Sequence, residues 1–444
     1  MLKMKFNLMF IFCGILMSQI MAQKSLPEWS KNATIYEVNV RQFTQEGTFS
    51  AFQKHLPRLK KMGVDILWLM PIHPIGVENR KGSLGSYYAV KDYKGVNPEF
   101  GTLDDFKNLV KTAHDLGMKI IIDWVANHSS PDNVWVQQGH KDWYTLDSLG
   151  NLQPTIGTDW YDVADLNYDN KEMRKEMIES MRYWLTAADI DGFRCDVAGW
   201  VPTDFWIDAR TELDKTKKIF FLAEDENPEI HKAFDMTYGW EFHHIMNKIA
   251  KGEEDVTHIV KYLEKGHFKN EDYRMHFTSN HDENSWNGTE MERMGEARFA
   301  LAVLSATIEG MPLVYNGQET SLDRRLAFFE KDSINWTKMD LVPFYTKILQ
   351  LNRSNKALWN GTFGGKTEVL TDKSSKDLLV FTREKDGHKV LCVFNLSATE
   401  KSLKITNTKI AGRYTDLFTG KKAKLKNELI MNIEPWGYRV YVRN

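Results

Sequence analysis

Eight strand-length apolar stretches alternating with amphipathic runs predict an α/β fold, a closed (β/α)₈ barrel with a short insert and a β-rich domain behind it. Three observations carry this. The strand and helix signals alternate from Ala33 to Ser354, and alternation of this kind means a parallel sheet. Eight units suit a closed barrel, with a doubly wound open sheet as the rival. Beyond Ser354 the texture changes to short β-rich runs bounded by turn residues.

In chain order, strands are expected at residues 35–40, 66–70, 120–125, 191–197, 219–223, 234–236, 274–278 and 312–315. Amphipathic helices are expected between them, among them 103–116, 173–185 and 297–308, with a further helix signal at Pro202. Gly63, Gly117 and Gly310 sit where helix C-caps belong. Residues 128–170 lack strong periodicity but hold Trp135, Trp143 and Trp160 with several glycines and two prolines. A connection of that length inside a barrel is usually functional, and it reads as a small subdomain inserted after the third strand. Downstream, runs at 378–382, 390–396, 412–417 and 438–442, with Asp386-Gly387 as a hairpin turn, predict an antiparallel β-sandwich. The expected division is a leader at 1–22, a barrel at 23–355 and a sandwich domain at 356–444.

The leader reads as a secretory signal peptide. Lys3 and Lys5 precede a mostly apolar stretch, 6–20, too short to span a bilayer. Cleavage after Ala22 would leave Gln23 first, in a periplasmic or extracellular protein with no membrane insertion. Cys13 lies mid-run, unlike a lipid-attachment cysteine. The mature chain keeps Cys195 and Cys392. They fall in separate domains, so no disulfide between them is expected. Lysine and arginine number 58 against 60 acidic residues, a balance that excludes charge-driven binding to nucleic acid or a membrane surface. No feature of the sequence sets the oligomeric state.

Residues 190–200 anchor the chemistry. Read as a strand, Arg194 and Asp196 share one face and Cys195 takes the other. A buried arginine and carboxylate are costly unless paired or used. Three other strands also end in carboxylates: Asp123 with His128 close behind, Glu224, and Asp282 beside His281. Barrel enzymes carry catalytic groups at these strand ends. One such carboxylate is usually a cap or a solvated loop residue. Four converging on one mouth repel each other, which makes sense if the site donates a proton, attacks carbon and stabilises positive charge. Retaining glycoside hydrolysis requires that set.

The four segments resemble the signature regions of the α-amylase family of glycoside hydrolases, in order and spacing: 123–128, 192–200, 221–227 and 277–282. The segment 310–319 is similar to the family's eighth-strand segment, and Asp165-Leu166-Asn167 to the motif closing its inserted domain. The resemblance implies that Asp196 is the nucleophile, Glu224 the general acid/base and Asp282 the transition-state-stabilising carboxylate. It implies that Arg194, His128 and His281 hold the sugar, that Tyr88 stacks under it and that Asp123 orients Arg194. Gly199 and Trp200 stand where many members carry a Lys-His pair whose histidine backbone helps hold calcium. Asn127 and Asp165 match two other calcium positions, so a structural calcium is an open expectation, and no cofactor is needed for the chemistry. Trp200 offers either a stacking face for the leaving group or a packed loop side chain. The run 197–200 and the short insert resemble maltodextrin-degrading and neopullulanase-like members. The expected activity is α-1,4 cleavage of an α-glucan such as starch or maltodextrin. An exo-acting α-glucosidase, a cyclomaltodextrinase or neopullulanase and a transglycosylase are alternatives on the same site. A non-catalytic binding relative would be expected to have lost a carboxylate, and all three are present.

Overall fold

The computed structural model describes residues 26–265 and 272–443, so the expected leader lies outside the described residues. Eight strands close a parallel barrel in chain order: β1 Ile35–Val38, β2 Ile66–Leu69, β3 Lys119–Trp124, β4 Gly192–Cys195, β5 Phe220–Ala223, β6 Met236–Tyr238, β7 Tyr273–His276 and β8 Met311–Tyr315. β1 pairs with both β2 and β8, which closes the ring.

Alternation along each strand sorts side chains between two layers. Ile35, Ile66, Trp68, Ile121, Leu222 and Leu313 fill the barrel. Ile120, Ile122, Trp124, Phe193, Cys195 and Phe221 face outward into the core shared with the helices. Cys195 is therefore a packing residue, and both it and Cys392 are free thiols. The helix Leu103–Asp115 opens on a reciprocal capping box between Thr102 and Asp105. Lys171–Ala187 is capped by Asn170, Thr203–Leu213 follows Pro202, and Arg298–Thr307 continues a short 3₁₀ turn. Gly63 ends the helix Leu56–Met62 at φ 111°, where an L side chain would be strained. No described helix is long and apolar enough to cross a membrane.

Most strand limits shift by one or two residues from expectation, and three of the shifts have a clear cause. The sixth strand begins at Met236, not Phe234. The Phe234 N–H is spent on the Ile230 carbonyl, and its ring packs on Trp206. Asp235 is held by Arg210 at 2.9 Å and accepts the Phe221 N–H. The first strand stops at Val38 because Asn39 caps the short helix Val40–Phe43. The fourth stops at Cys195 because Val197 turns left-handed.

The insert is built on a two-stranded ribbon, His128–Ser129 against Ala164–Asp165. Buried Trp135 and Trp143 pack edge-to-face, 5.2 Å apart. At the C-terminal end, β9 Glu368–Val369, β10 Leu378–Lys385, β11 His388–Asn395, β12 Lys401–Thr406, β13 Gly412–Asp416, β14 Lys422–Leu425, β15 Glu428–Ile433 and β16 Tyr438–Arg443 form two antiparallel layers. One is six-stranded, in the order β9-β10-β11-β16-β13-β14, and the other pairs β12 with β15. Val380, Leu391 and Val393 of the first meet Leu403, Leu429 and Ile433 of the second. The hairpin turn at Asp386-Gly387 has positive φ at both residues, as an Asp-Gly turn of this length requires.

Candidate active site

The barrel ladder itself sets the acidic cluster. Asp123 lies opposite Arg194 in the β3–β4 register. The ladder runs one step further on each strand: Asp196 N–H donates to Trp124 O at 2.9 Å, and Glu224 N–H to Cys195 O at 3.0 Å. The four side chains are thereby placed at the C-terminal mouth of neighbouring strands.

Arg194 is fully buried and organises them. Its Nη1 donates to Asp123 Oδ1 at 2.9 Å and to Asp196 Oδ1 at 2.8 Å, and its Nε donates to Tyr238 Oη at 3.0 Å. Its Nη2 lies 2.9 Å from Glu224 Oε2 in an ion pair without hydrogen-bond alignment. Glu224 Oε2 instead accepts the Val197 N–H at 2.8 Å. Asp123 is held in turn by Trp68 Nε1 and by Tyr88 Oη.

Burial pushes all three of these carboxyls upward, against the pull of Arg194. Asp196 rises to about 6, with Asp123 adding repulsion, and Asp123 itself to about 6. Glu224 rises further, to about 7, because Asp196 and Asp282 add repulsion to burial. The arginine alone would keep Asp196 low, and burial outweighs it. Asp196 nevertheless stays more acidic than Glu224. Burial would lower Arg194, but Asp123 and Glu224 outweigh it and hold it charged.

A cavity of about 610 Å³ opens over this cluster, lined by Asp196, Glu224, Asp282, Tyr88, His128 and His281 among others. Its size is that of a small-ligand site. Arg194 and Asp123 lie beneath its floor. His281 bridges the wall: Nδ1 is 2.5 Å from Glu37 Oε1, and Nε2 is 2.8 Å from Tyr88 Oη and 3.3 Å from Asp282 Oδ2. Burial lowers His281, but Asp282 and Glu37 together lift it to about 9, so it is cationic at neutral pH. His128 has burial alone acting on it, falls to about 3 and is neutral. The Tyr88 ring stacks on His281 and on Phe328, which themselves lie 6.4 Å apart, so the three rings form one cluster.

Trp200 is outside the cavity lining and half exposed, stacked at 5.4 Å on Trp160, which does line it. Gly199 has a steric reason. A Cβ there would come within 2.7 Å of the Asp225 carboxylate, which is fixed by the backbone N–H groups of Glu226 and Asn227. Asn127 and Asp165 form a hydrogen-bond network. Asp165 accepts the Thr155 and Thr145 hydroxyls, one on each oxygen, at 2.9 and 2.7 Å. Asn127 Nδ2 donates to Thr155 Oγ1 at 2.8 Å. A hard cation such as calcium takes six to eight oxygen ligands. The described residues contain no cluster of three or more histidine, cysteine or carboxylate side chains that could hold a metal, and this donor set does not fit calcium.

Sequence reasoning missed Glu37, Tyr238, Lys81, Asp159, Asp162, Trp286 and Phe328. Glu37 was detectable, as a lone charge inside the apolar strand Ile35–Val38. The others sit on strand ends and loops whose approach to the mouth depends on the tertiary fold.

Residues 30–343 match the family model described as Alpha amylase, catalytic domain, and 367–440 match Maltogenic Amylase, C-terminal domain. A noncanonic maltogenic alpha-amylase, AmyB from Thermotoga neapolitana, superposes with a TM-score of 0.84 at 30% identity, covering 93% of this chain and 98% of that one. An alpha-amylase from Lactobacillus plantarum does so at 0.82 and 31%, covering 93% and 99%. The alpha-amylase MalA of Haloarcula japonica is 27% identical over 330 residues, 71% of this chain but only 47% of that protein. A barrel mouth with three carboxylates around one buried arginine, and a catalytic-domain match spanning most of the chain, lead to one assignment: the chain belongs to the α-amylase family of glycoside hydrolases.

Proposed function

We propose that this glycoside hydrolase cleaves α-1,4-glucosidic bonds of maltodextrins or related α-glucans with retention of configuration. The observation that supports this reading most directly is Arg194, whose one guanidinium contacts both Asp196 and Glu224. Two carboxyls on one fork favour the close spacing of retaining enzymes, about 5–5.5 Å, over the wider gap an inverting enzyme leaves for water.

In this mechanism ionised Asp196 attacks the anomeric carbon. Glu224, the more basic carboxyl, gives its proton to the departing glycosidic oxygen. A glycosyl ester on Asp196 results. Glu224 then takes a proton from water, whose oxygen displaces Asp196 from the same carbon and regenerates the α-anomer. Asp282 stabilises the positive charge that develops on the ring, and Tyr88 supports its apolar face. His128 and His281 meet sugar hydroxyls, one as a neutral imidazole and one as a cation. A site built to bond particular hydroxyls rejects isomers that misplace them. β-Linked glucans are therefore excluded, and α-1,4 bonds are cut ahead of α-1,6. The leader 1–22 marks the protein for export.

The test is parallel digestion of maltoheptaose, isomaltose, pullulan, a cyclodextrin and cellooligosaccharides, with proton NMR of the fresh product. Maltoheptaose cleavage giving the α-anomer first is the expected result, and Asp196→Asn should lower turnover by about 10⁴-fold or more, as for other members of a concerted site. A β-anomer as first product, or cleavage of the cellooligosaccharide, refutes the reading.

A further inference from the structure

We propose that the loop following β2 walls off the glycone end of the cavity and makes the enzyme exo-acting, releasing short products from non-reducing ends. This rests on the assignment of Asp196 and Glu224 made above.

Residues 77–84 of this loop are tied down on both sides of the mouth. Toward the insert, Lys81 Nζ lies 3.0 Å from Asp162 Oδ1 and sits over the Tyr161 ring at 4.6 Å. That ion pair is mostly withdrawn from water, with side chains 18% and 5% exposed, so solvent screens it less than a surface pair. Toward the loop after β8, Ser83 N–H donates to Glu330 Oε1 at 2.8 Å and Leu84 N–H to Phe329 O at 3.1 Å. Gly82 approaches so closely that a Cβ there would meet Phe329 Cβ at 2.5 Å. Lys81, Asp162 and Phe329 all line the catalytic cavity. The span thus joins two walls that an open cleft would leave apart.

Its position decides which end is closed. In the ring of eight, β2 stands across from β6, and Glu224 ends β5 beside it. The leaving group departs on the Glu224 side, away from the loop. Tyr88, the stacking partner of the reacting sugar, lies at the foot of the loop. A glucan running on from that sugar toward its non-reducing end meets the Lys81–Asp162 bridge. An internal bond of a long chain cannot be seated without breaking it.

The experiment compares two maltoheptaosides that differ only in a 4,6-ketal or acetal cap on the non-reducing sugar. The expected result is cleavage of the uncapped substrate with glucose or maltose as the earliest product, and cleavage of the capped one about 100-fold slower, a barrier difference of about 2.7 kcal/mol. Lys81→Ala and Glu330→Ala, each releasing one anchor, should raise the capped-to-uncapped ratio about tenfold. Equal rates on both substrates by the native enzyme overturn the proposal and leave the hydrolase reading intact. A native ratio unchanged in both variants, with circular dichroism showing them folded, overturns the role of this loop. No cleavage of the uncapped substrate overturns the parent reading itself.

Discussion

The backbone N–H of Val197 donates to Glu224 Oε2 at 2.8 Å, and it does so from a left-handed conformation, φ 34° and ψ 46°. A β-branched residue there is a true outlier, and such strain persists where the surroundings over-determine it. Here Asp196 precedes the turn, and Glu224 receives its N–H. The kink that ends β4 thereby positions Glu224 beside Asp196.

Val197→Gly tests this. Left-handed strain in a non-glycine residue costs roughly 1–2 kcal/mol, and a glycine loses about 0.5–1 kcal/mol in chain entropy. Stability should therefore stay within about 1 kcal/mol of the parent in urea titration. The N–H remains but is held less firmly, so kcat should fall by about tenfold or less, roughly the 1.4 kcal/mol of one modest hydrogen bond. A stability loss above about 3 kcal/mol, the range of a core cavity, would show that packing rather than strain governs the position.

The pH profile of kcat/KM follows from the order of the two carboxyls. Asp196, lifted to about 6, must be ionised to attack, so activity rises as pH passes upward through that value. Glu224, lifted to about 7, must hold its proton, so activity falls as pH rises beyond it. A narrow bell centred between the two is expected, with apparent constants belonging to the pair. Initial rates on maltoheptaose across the range decide it. An optimum well on the alkaline side of Glu224 would mean that another group donates the proton.

With Asp282, Glu37 is one of the two carboxylates that keep His281 charged. Replacing it by glutamine keeps the shape and removes one of the two anions that lift His281 to about 9. The imidazole titration followed by NMR should move down. A charge-assisted hydrogen bond is worth about 1.5–3 kcal/mol, so kcat/KM should fall by about 10–100-fold. Loss of rate without a change in the His281 titration would make Glu37 a packing residue only.

The barrel was legible because a strand buried on both faces reads as a short continuous apolar run, as in Lys119–Trp124, distinct from the helical periodicity on either side of it. Asp196, Glu224 and Asp282 were legible because charge at the end of an apolar strand is costly without a use. The limits failed at Phe234, an apolar residue that looks like strand but is spent on a turn. Four C-terminal strands escaped detection. Lys401–Thr406 and Lys422–Leu425 are largely exposed and polar, and Glu368–Val369 has two residues, so neither run length nor apolar content marks them. Glu428–Ile433, by contrast, carries a signal in Leu429, Ile430, Met431 and Ile433 that went unread. Lys81 and Glu330 carried no signal, since their meaning lies in a loop crossing between partners far apart in sequence.

The junction between barrel and insert gives the last prediction, that chelation leaves stability unchanged. Metal bound only by the native state stabilises by mass action, about 2.7 kcal/mol at a hundredfold excess over Kd, and a chelator removes all of it. At this junction Asp165 already spends both oxygens on the Thr145 and Thr155 hydroxyls, and Asn127 turns its amide nitrogen toward Thr155. The hydroxyls donate where a cation would have to be surrounded by acceptors. The melting temperature with EDTA, with EGTA and with added calcium should agree within about 1 °C, far less than the several degrees that 2.7 kcal/mol represents. Thr155→Val should instead be costly, because it strips an Asp165 oxygen of its donor and leaves the Asn127 amide only His128 Nδ1, at roughly 1–3 kcal/mol for a group left unsatisfied. If chelation lowers the midpoint by several degrees while Thr155→Val does not, the junction is held by metal and the hydroxyl network is incidental.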